Sequence, residues 1–295
     1  MTAKNFAELL LLSAIWGASF LFMRISAPEM GALPVAFLRI IIAALTLAPL
    51  LYLVARKYLP EVEDKRRLLL HLTAVGIGNS IIPFIFFSYA AINIDAGLSS
   101  IINATTPLWG ALFGLVILNT RLNRLGWLGL FTGFIGVFVL SSHKLSGDMD
   151  SALLSILAVV AATCMYGLSA NYSKRFLVGV PPMMVAAGTM AISAVLVSPA
   201  LFVMDLPFAT ISNAAWSAQI ALGAVCTGIA YVIFYRLIEH TGPTKAMTVT
   251  YLIPIFGVLF GYLFLQEALH LNMLFGGILI LFGVMLTTGL FNKQK

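Results

Sequence analysis

Apolar residues occur along this chain in ten long runs that are separated by short polar segments. A helix needs roughly 20 apolar residues to cross a bilayer core of about 30 Å. The runs cover residues 6–27, 33–54, 68–91, 95–117, 124–141, 152–173, 182–204, 214–237, 243–264 and 270–290. The segments between them are too short for a soluble domain. The pattern predicts an all-α membrane protein with ten spans, of which the fifth is the shortest.

The composition agrees with a lipid environment. Hydrophobic residues make up 61% of the chain and charged residues 9%, whereas about a quarter of the residues in soluble domains are charged. The net charge of +6 comes from basic residues that cluster between the apolar runs, which is the distribution expected for membrane topology rather than for nucleic-acid binding. We therefore expect lipid, and no nucleic acid, as the surroundings.

The positions of the basic residues predict the orientation. A cytoplasmic N-terminus would put 14 of the 17 Lys and Arg residues inside, while the outer loops keep only Lys144. Arg24 and Arg39 fall within or near spans. Cytoplasmic segments of membrane proteins are enriched in Lys and Arg. We expect a multi-pass protein of the cell (inner) membrane with both termini in the cytoplasm.

The chain also contains an internal repeat. Residues 74–140 align without a gap on residues 221–287, a shift of 147, and 14 of the 67 pairs are identical. Shared Gly and Pro residues, such as Pro107 with Pro254, are hard to explain by common apolar composition alone. A shift of 150 aligns Trp16–Ser19 with Tyr166–Ser169. The repeat predicts two five-span units, residues 1–145 and 152–291, and a cytoplasmic tail, 292–295.

The odd number of spans in each unit has a mechanistic consequence. The second unit must enter the membrane from the opposite side, so that a pseudo-two-fold axis in the membrane plane relates the two. Inverted repeats of this kind are common in secondary transporters, whose binding sites lie where the repeats meet near mid-bilayer. The pattern predicts a central cavity at that place.

Several motifs carry a family resemblance. The stretch from Asp95 to Gly114, followed by Gly129 and by Gly133–Val137, resembles the end of an EamA domain, the repeat unit of the drug/metabolite transporter superfamily. Ile15–Ser19, Ala36–Arg39 and Pro254–Glu267 are similar to other parts of that domain. The resemblance extends over nearly the whole chain. It implies a ten-helix basket that exports small metabolites, and the chain looks similar to the aromatic amino acid exporters.

One position departs from the family pattern. The family often has a Glu near the end of the fourth span, where this chain has Asn119–Thr120, while the second half keeps Glu267. A symmetric role for that carboxylate is therefore in doubt. Glu267 is a candidate for a gate or a proton site.

Candidate binding residues are polar or aromatic residues at mid-depth. Asn79–Ser80 is the symmetry mate of Cys226–Thr227, and Pro107 and Pro254 are expected to kink their helices and to free a carbonyl. Arg39 is a candidate partner for a carboxylate of the substrate or of the protein, or else it extends to the outer headgroups. The substrate-binding candidates are Trp16, Ser19, Arg39, Asn79, Ser80, Asn103, Thr106, Trp109, Tyr166, Thr227, Thr250 and Tyr251.

Other features indicate packing. Glycines recur at helical spacing along the fifth span, at Gly126, Gly129, Gly133 and Gly136. This spacing predicts a close helix contact, either within the chain, as in a monomer, or with a second copy of the chain. Cys164 and Cys226 lie inside apolar runs and have no metal-ligand spacing. No cofactor or metal is expected, and the absence of a catalytic motif argues against an enzyme.

The leading hypothesis is therefore a secondary transporter that exports small metabolites, amino acids first among them, by alternating access. A phosphate-sugar exchanger of the same fold is the nearest alternative, although a dianion should need several deep cations. A channel or a sensor is the alternative from a different class.

Overall fold

A computed structural model describes residues 2–142, 149–201, 203–204 and 210–288. Within these residues ten long helices follow one another, which confirms the predicted all-α membrane fold. They are α1 (Ala3–Met30), α2 (Ala32–Glu61), α3 (Lys65–Asn93), α4 (Ala96–Ile117), α5 (Arg124–Ser141), α6 (Asp150–Phe176), α7 (Pro182–Leu201), α8 (Asn213–Thr241), α9 (Val249–Leu265) and α10 (Leu271–Thr287). The first eight are long and apolar enough to cross a membrane, and α9 and α10 are apolar helices of 17 residues each.

Helix ends differ from the predicted runs for a local reason. Hydropathy detects only the apolar middle of a span, and most helices continue into polar turns. Asp64 and Asn123 each accept a bond from a first-turn amide, and these caps start α3 and α5. Gly31 and Gly242 follow α1 and α8 with φ of 84°, a conformation that only glycine adopts readily.

The ninth predicted run is interrupted. A short helical turn, Pro243–Ala246, precedes α9, and the helix begins again at Val249. The mate of α9, α4, is also broken, but at a different place. Its first segment ends at Asn103 and its second begins at Thr106, immediately before Pro107. Pro254 instead lies inside the continuous part of α9.

Contacts between the two halves occur in matched pairs. Helix α1 packs on α8 and α9, and its mate α6 packs on α3 and α4. Helix α2 packs on α8 as α7 packs on α3, while α2–α7, α4–α9 and α5–α10 pair each helix with its own mate. Exchanging helices 1–5 with helices 6–10 therefore reproduces the packing, as a pseudo-two-fold axis requires.

The halves run in opposite directions. Glu8 of α1 lies 3.0 Å from Arg236 near the end of α8, and Glu29 accepts bonds from Ser212 at the start of α8. We call these two ends of the molecule the Glu8 end and the Glu29 end. Arg24 bonds the end of α3, and Asn93 of α3 bonds Ser155 at the start of α6. Helix α6 thus begins at the end where α1 finishes.

Two glycines show the symmetry at atomic detail. A Cβ placed on Gly17 of α1 would lie 3.0 Å from the backbone nitrogen of Gly257, and one placed on Gly167 of α6 would lie 2.6 Å from the nitrogen of Gly110. Gly110 and Gly257 are mates at the shift of 147. The two halves therefore cross each other at equivalent points, where only a glycine lets the backbones approach this closely.

The predicted glycine contact forms within the chain. Cβ atoms added at Gly129 and Gly136 of α5 would lie 2.5 Å and 2.8 Å from the carbonyl oxygens of Gly283 and Gly276 in α10. The reciprocal approaches are equally close. Helices α5 and α10 thus touch through their backbones. Their outer faces carry exposed apolar side chains such as Phe131 and Phe138, as expected for contact with lipid.

Candidate functional site

The midpoints of α3 and α8 share an unusual backbone. Each helix changes to a π-helical stretch, at Ile77–Ile81 in α3 and at Ala221–Ile229 in α8. These stretches coincide when the repeat is superposed at the shift of 147. Short π-helical stretches are rare and frequently mark functional sites. They hold the predicted pairs Asn79–Ser80 and Cys226–Thr227, so the sequence symmetry coincides with a symmetry of local structure.

Arg39 of α2 reaches the midpoint of α8. Its Nε donates to Thr227 Oγ1 at 2.9 Å, and Thr227 in turn donates to the carbonyl of Leu222, five residues earlier in the π-helical stretch. The side chain does not extend to a helix end, since Arg39 is only 7% exposed. Among the residues whose burial is described, it is the only buried charged side chain.

The rest of the guanidinium meets soft and aromatic groups. Its Nη1 lies 3.6 Å from Met23 Sδ of α1, and its Cζ lies 3.8 Å from the centre of the Phe84 ring in α3. Cation–π contacts of this kind are strongest where water is excluded. Four helices, α1, α2, α3 and α8, therefore meet around one cation.

A chain of aromatic rings extends from this point. Tyr166 of α6 and Tyr231 of α8 lie within electrostatic range of Arg39, and Tyr166 stacks on Phe87 at 5.9 Å. The Asn79 side chain is within hydrogen-bonding range of the Tyr231 hydroxyl. We call this group the central cluster: Met23, Arg39, Asn79, Phe84, Phe87, Tyr166, Thr227 and Tyr231.

Ser80 follows Asn79 in the π-helical stretch of α3, and Trp16 precedes Met23 in α1. Ser80 is fully buried, and its hydroxyl has no hydrogen-bond partner among the described residues. Trp16 is half-buried and packs its ring on Phe234 of α8 at 5.1 Å. The Ser19 hydroxyl, by contrast, donates to the carbonyl of Trp16 in its own helix and so already has a hydrogen-bond acceptor.

The candidates at the break in α4 bond to one another. Pro107 removes the amide that would bond the Asn103 carbonyl, and Thr106 Oγ1 donates to that carbonyl at 2.8 Å instead. The freed carbonyl that the sequence predicts is therefore already occupied. Trp109 packs its ring on Phe134 of α5 at 5.0 Å, and its buried Nε1 has no partner among the described residues.

The candidates on α9 bond to residues outside the central cluster. Thr250 donates to the Met247 carbonyl, and the Tyr251 hydroxyl lies 2.9 Å from Thr288 Oγ1 just after α10. Sequence reasoning missed Met23, Phe84 and Phe87. The signal for Phe84 was present, because Phe84 follows the candidate Ser80 by about one helical turn in α3.

Glu267 lies far from the central cluster, at the Glu29 end. Its carboxylate accepts bonds from the backbone amides of Ala96 at 2.7 Å and Gly97 at 3.1 Å, the first residues of α4. A carboxylate at a helix N-terminus binds unpaired amides and the positive end of the helix dipole. Glu267 thus fastens the second half to the first.

Together, the ten apolar helices, their pseudo-two-fold packing and a polar centre define a membrane protein of the inverted-repeat class. The chain matches the EamA-like transporter family over residues 7–142 and again over residues 153–289. It belongs to that family, which places it among the transporters of the drug/metabolite transporter superfamily.

Curated relatives match over nearly the full length. The uncharacterized transporter YoaV of Bacillus subtilis is 23% identical over 286 residues, 95% of each chain. A probable amino-acid metabolite efflux pump of Escherichia coli is 24% identical and covers 96% of this chain and 94% of its own. The uncharacterized inner membrane transporter YedA of Escherichia coli is 24% identical over 87% of this chain and 81% of its own.

The fold has a counterpart among solved structures. One crystal structure superposes on the whole chain with a TM-score of 0.67 and 18% sequence identity, and it is covered completely. This likeness shows the fold alone.

Proposed function

We propose that this protein is a secondary transporter that exports small amphipathic metabolites, most of all amino acids, aromatic ones among them, by alternating access. The observation that carries the proposal is the central cluster. It joins helices of both halves around one cation at the midpoints of α3 and α8, which is where inverted-repeat transporters bind substrate. The name of the efflux-pump relative supports the choice of amino acids.

The proposal includes topology. The repeats comprise residues 1–145 and 152–291, both termini lie in the cytoplasm, and the Glu29 end faces outward. The test is a single cysteine introduced at Glu61, the last residue of α2, or at Thr210, before α8, in a Cys164→Ala, Cys226→Ala background. An impermeant maleimide added to whole cells should label only the second. Labelling of both from one side would overturn the inverted arrangement.

Transport is tested by counterflow in proteoliposomes with a panel of amino acids. We expect saturable exchange of at least one amphipathic amino acid. The control is the Gly129→Leu variant, which should not assemble because the added side chain would meet the backbone of α10. The absence of saturable flux for every amino acid would defeat the substrate assignment.

A phosphate-sugar exchanger is the second candidate and has less support. A dianion should need more than one fixed cation, and the central cluster contains only Arg39. Sugar phosphates in the same counterflow panel test it. Single-channel currents in a planar bilayer would instead identify a channel.

A further inference from the structure

The guanidinium of Arg39 is incompletely bonded. It has five N–H groups and keeps its proton in proteins. The described residues supply one oxygen acceptor, Thr227 Oγ1, and one weak sulfur acceptor, Met23 Sδ. The Phe84 ring covers its face at 3.8 Å. A cation that is 93% buried, with one oxygen partner, retains donors for an anion.

No fixed anion of the described protein meets this need. Each carboxylate that the structure describes lies in a connection or near a helix end, far along the chain from the midpoints of α3 and α8. Glu8 bonds Arg236 and Glu29 bonds Ser212 at opposite ends of the molecule. Glu267 bonds the first amides of α4. A buried charge without a partner is costly, so we expect a function for it.

The residue equivalent to Arg39 in the second half is not charged. A Cβ on Gly223 would approach the Arg39 carbonyl at 3.1 Å, and one on its mate Gly76 would approach the Thr189 carbonyl at 3.2 Å. Thr189 therefore occupies the position equivalent to Arg39 in the second half. It is neutral, and its hydroxyl donates to Ala186 within its own helix. Among the described residues, this pair of equivalent positions therefore supplies one buried cation and no second one.

The side chains near Arg39 indicate the chemistry of the rest of the ligand. Phe84, Phe87, Tyr166 and Tyr231 present ring faces and edges, which favour an apolar or aromatic body. The amide of Asn79 adds a neutral hydrogen-bonding group, whereas the Thr227 hydroxyl is already bonded to Arg39 and to the Leu222 carbonyl. The described cluster has a partner for a carboxylate and offers no carboxylate for an ammonium group.

On these grounds, and resting on the proposed transport function, we propose that Arg39 is the counter-ion for one substrate carboxylate and that the substrates are amphipathic monocarboxylates. Amino acids then bind through the carboxylate, and the amino group is dispensable. Arg–carboxylate pairs form two parallel hydrogen bonds. A carboxamide of the same shape presents one acceptor and a donor group that Arg39 cannot use.

The first test needs only the wild-type protein. Purified protein in detergent is titrated with 3-phenylpropionate, 3-phenylpropionamide and phenylsuccinate, and binding is followed by the thermal midpoint. We expect the monocarboxylate to bind at least tenfold more tightly than the amide and the dicarboxylate. Equal affinities for acid and amide, or no effect of the acid, would overturn the proposal.

The second test uses transport. The amino acid with the largest counterflow is competed with its own deaminated acid and its own amide. We expect the deaminated acid to compete and the amide to fail. Competition by the amide and not by the acid would overturn the role of Arg39 while leaving the transport proposal intact. Absence of all flux would defeat the transport proposal, and the binding titration would still decide the carboxylate claim.

The third test assigns the preference to Arg39. Arg39→Gln should reduce the acid-to-amide affinity ratio from at least tenfold to about one, and Arg39→Lys should retain part of it. The ratio does not depend on the amount of folded protein. Thr189→Ser at the equivalent position is the matched control and should keep the wild-type ratio. An unchanged ratio in Arg39→Gln would refute the assignment, and the wild-type titration decides the substrate class even if that variant does not fold.

Discussion

The turn after α4 and the turn after α9 have the same backbone and different side chains. Asn119 and Gln266, mates at the shift of 147, have φ of 52° and 56° and are the only described non-glycine residues with positive φ. The next amides, of Thr120 and Glu267, each donate to a glycine carbonyl at 3.1 Å. Only Glu267 fastens a helix of the other half. The two halves have therefore kept the same scaffold, while their two ends are held by unequal contacts.

The largest expected effect concerns a pair of glycines that are mates. A Cβ on Gly257 would collide with the Ser100 side chain, whereas one on Gly110 meets no atom within 4 Å. Gly257→Ala should therefore lose about 1–3 kcal/mol of stability by overpacking. Gly110→Ala should be neutral or stabilising by up to about 1 kcal/mol, because alanine favours helix. Thermal unfolding in detergent measures both, and equal losses would contradict the difference between the halves.

The next effect concerns the two turns themselves. Glu267→Gln keeps the shape of the side chain and removes the charge from its bonds to Ala96 and Gly97, and hydrogen bonds to charged groups contribute about 1.5–3 kcal/mol. We expect a roughly tenfold increase in the labelling rate of a cysteine at Ser99, which is buried near the start of α4. Thr120→Val, in the equivalent turn after α4, is the matched control and should leave the labelling rate at Ser99 unchanged. An increase similar to that in Glu267→Gln would contradict the difference between the two turns.

A smaller effect is expected from pH. Burial raises the pKa of the Glu267 carboxyl, Asp95 adds to the rise, and the amides of Ala96 and Gly97 together with Arg24 oppose it. Because the pKa of Glu267 is higher in the packed protein than in an exposed carboxyl, packing takes up a proton and weakens as the pH rises through the range between these two pKa values. Labelling at Ser99, corrected for thiol reactivity, should therefore rise with pH across that range and fall on acidification. In Glu267→Gln this pH dependence should be absent.

The smallest effect is expected at the neutral mate of Arg39. Thr189→Val removes a hydroxyl that bonds only the Ala186 carbonyl of its own helix, and that carbonyl retains its helical bond. We expect a change of less than about 1 kcal/mol in stability and an unchanged counterflow rate. A large loss of transport in this variant would show that both halves contribute equally to the site.

Much of the fold could be predicted from the sequence because it depends on local patterns. Apolar runs gave the ten helices, and for α5 both ends were predicted at the residue observed, Arg124 and Ser141. The repeat at a shift of 147 agrees with the paired turns and the paired π-helical stretches. The break before Pro107 follows from its missing amide. The displaced break before α9 could not be predicted, because no proline marks it.

The site was less accessible to prediction because it depends on how each helix is rotated. Arg39 and Thr227 are separated by 188 positions, and no periodicity links them. Tyr251 and Trp109 have the depth of a binding residue, yet they face α10 and α5. Phe84 could have been found, since it follows the candidate Ser80 by about one helical turn. The position of a residue along its helix indicates its depth in the membrane. The direction in which its side chain points depends on the rotation of the helix, which packing determines.

The backbone contact between α5 and α10 constrains any conformational cycle. Helices that meet at glycine carbonyls on both sides, as Gly129 and Gly283 do, cannot separate without losing every close approach at once. In the proposed alternating-access cycle we therefore expect α5 and α10 to stay in contact, while the other eight helices take up the relative motion of the two halves.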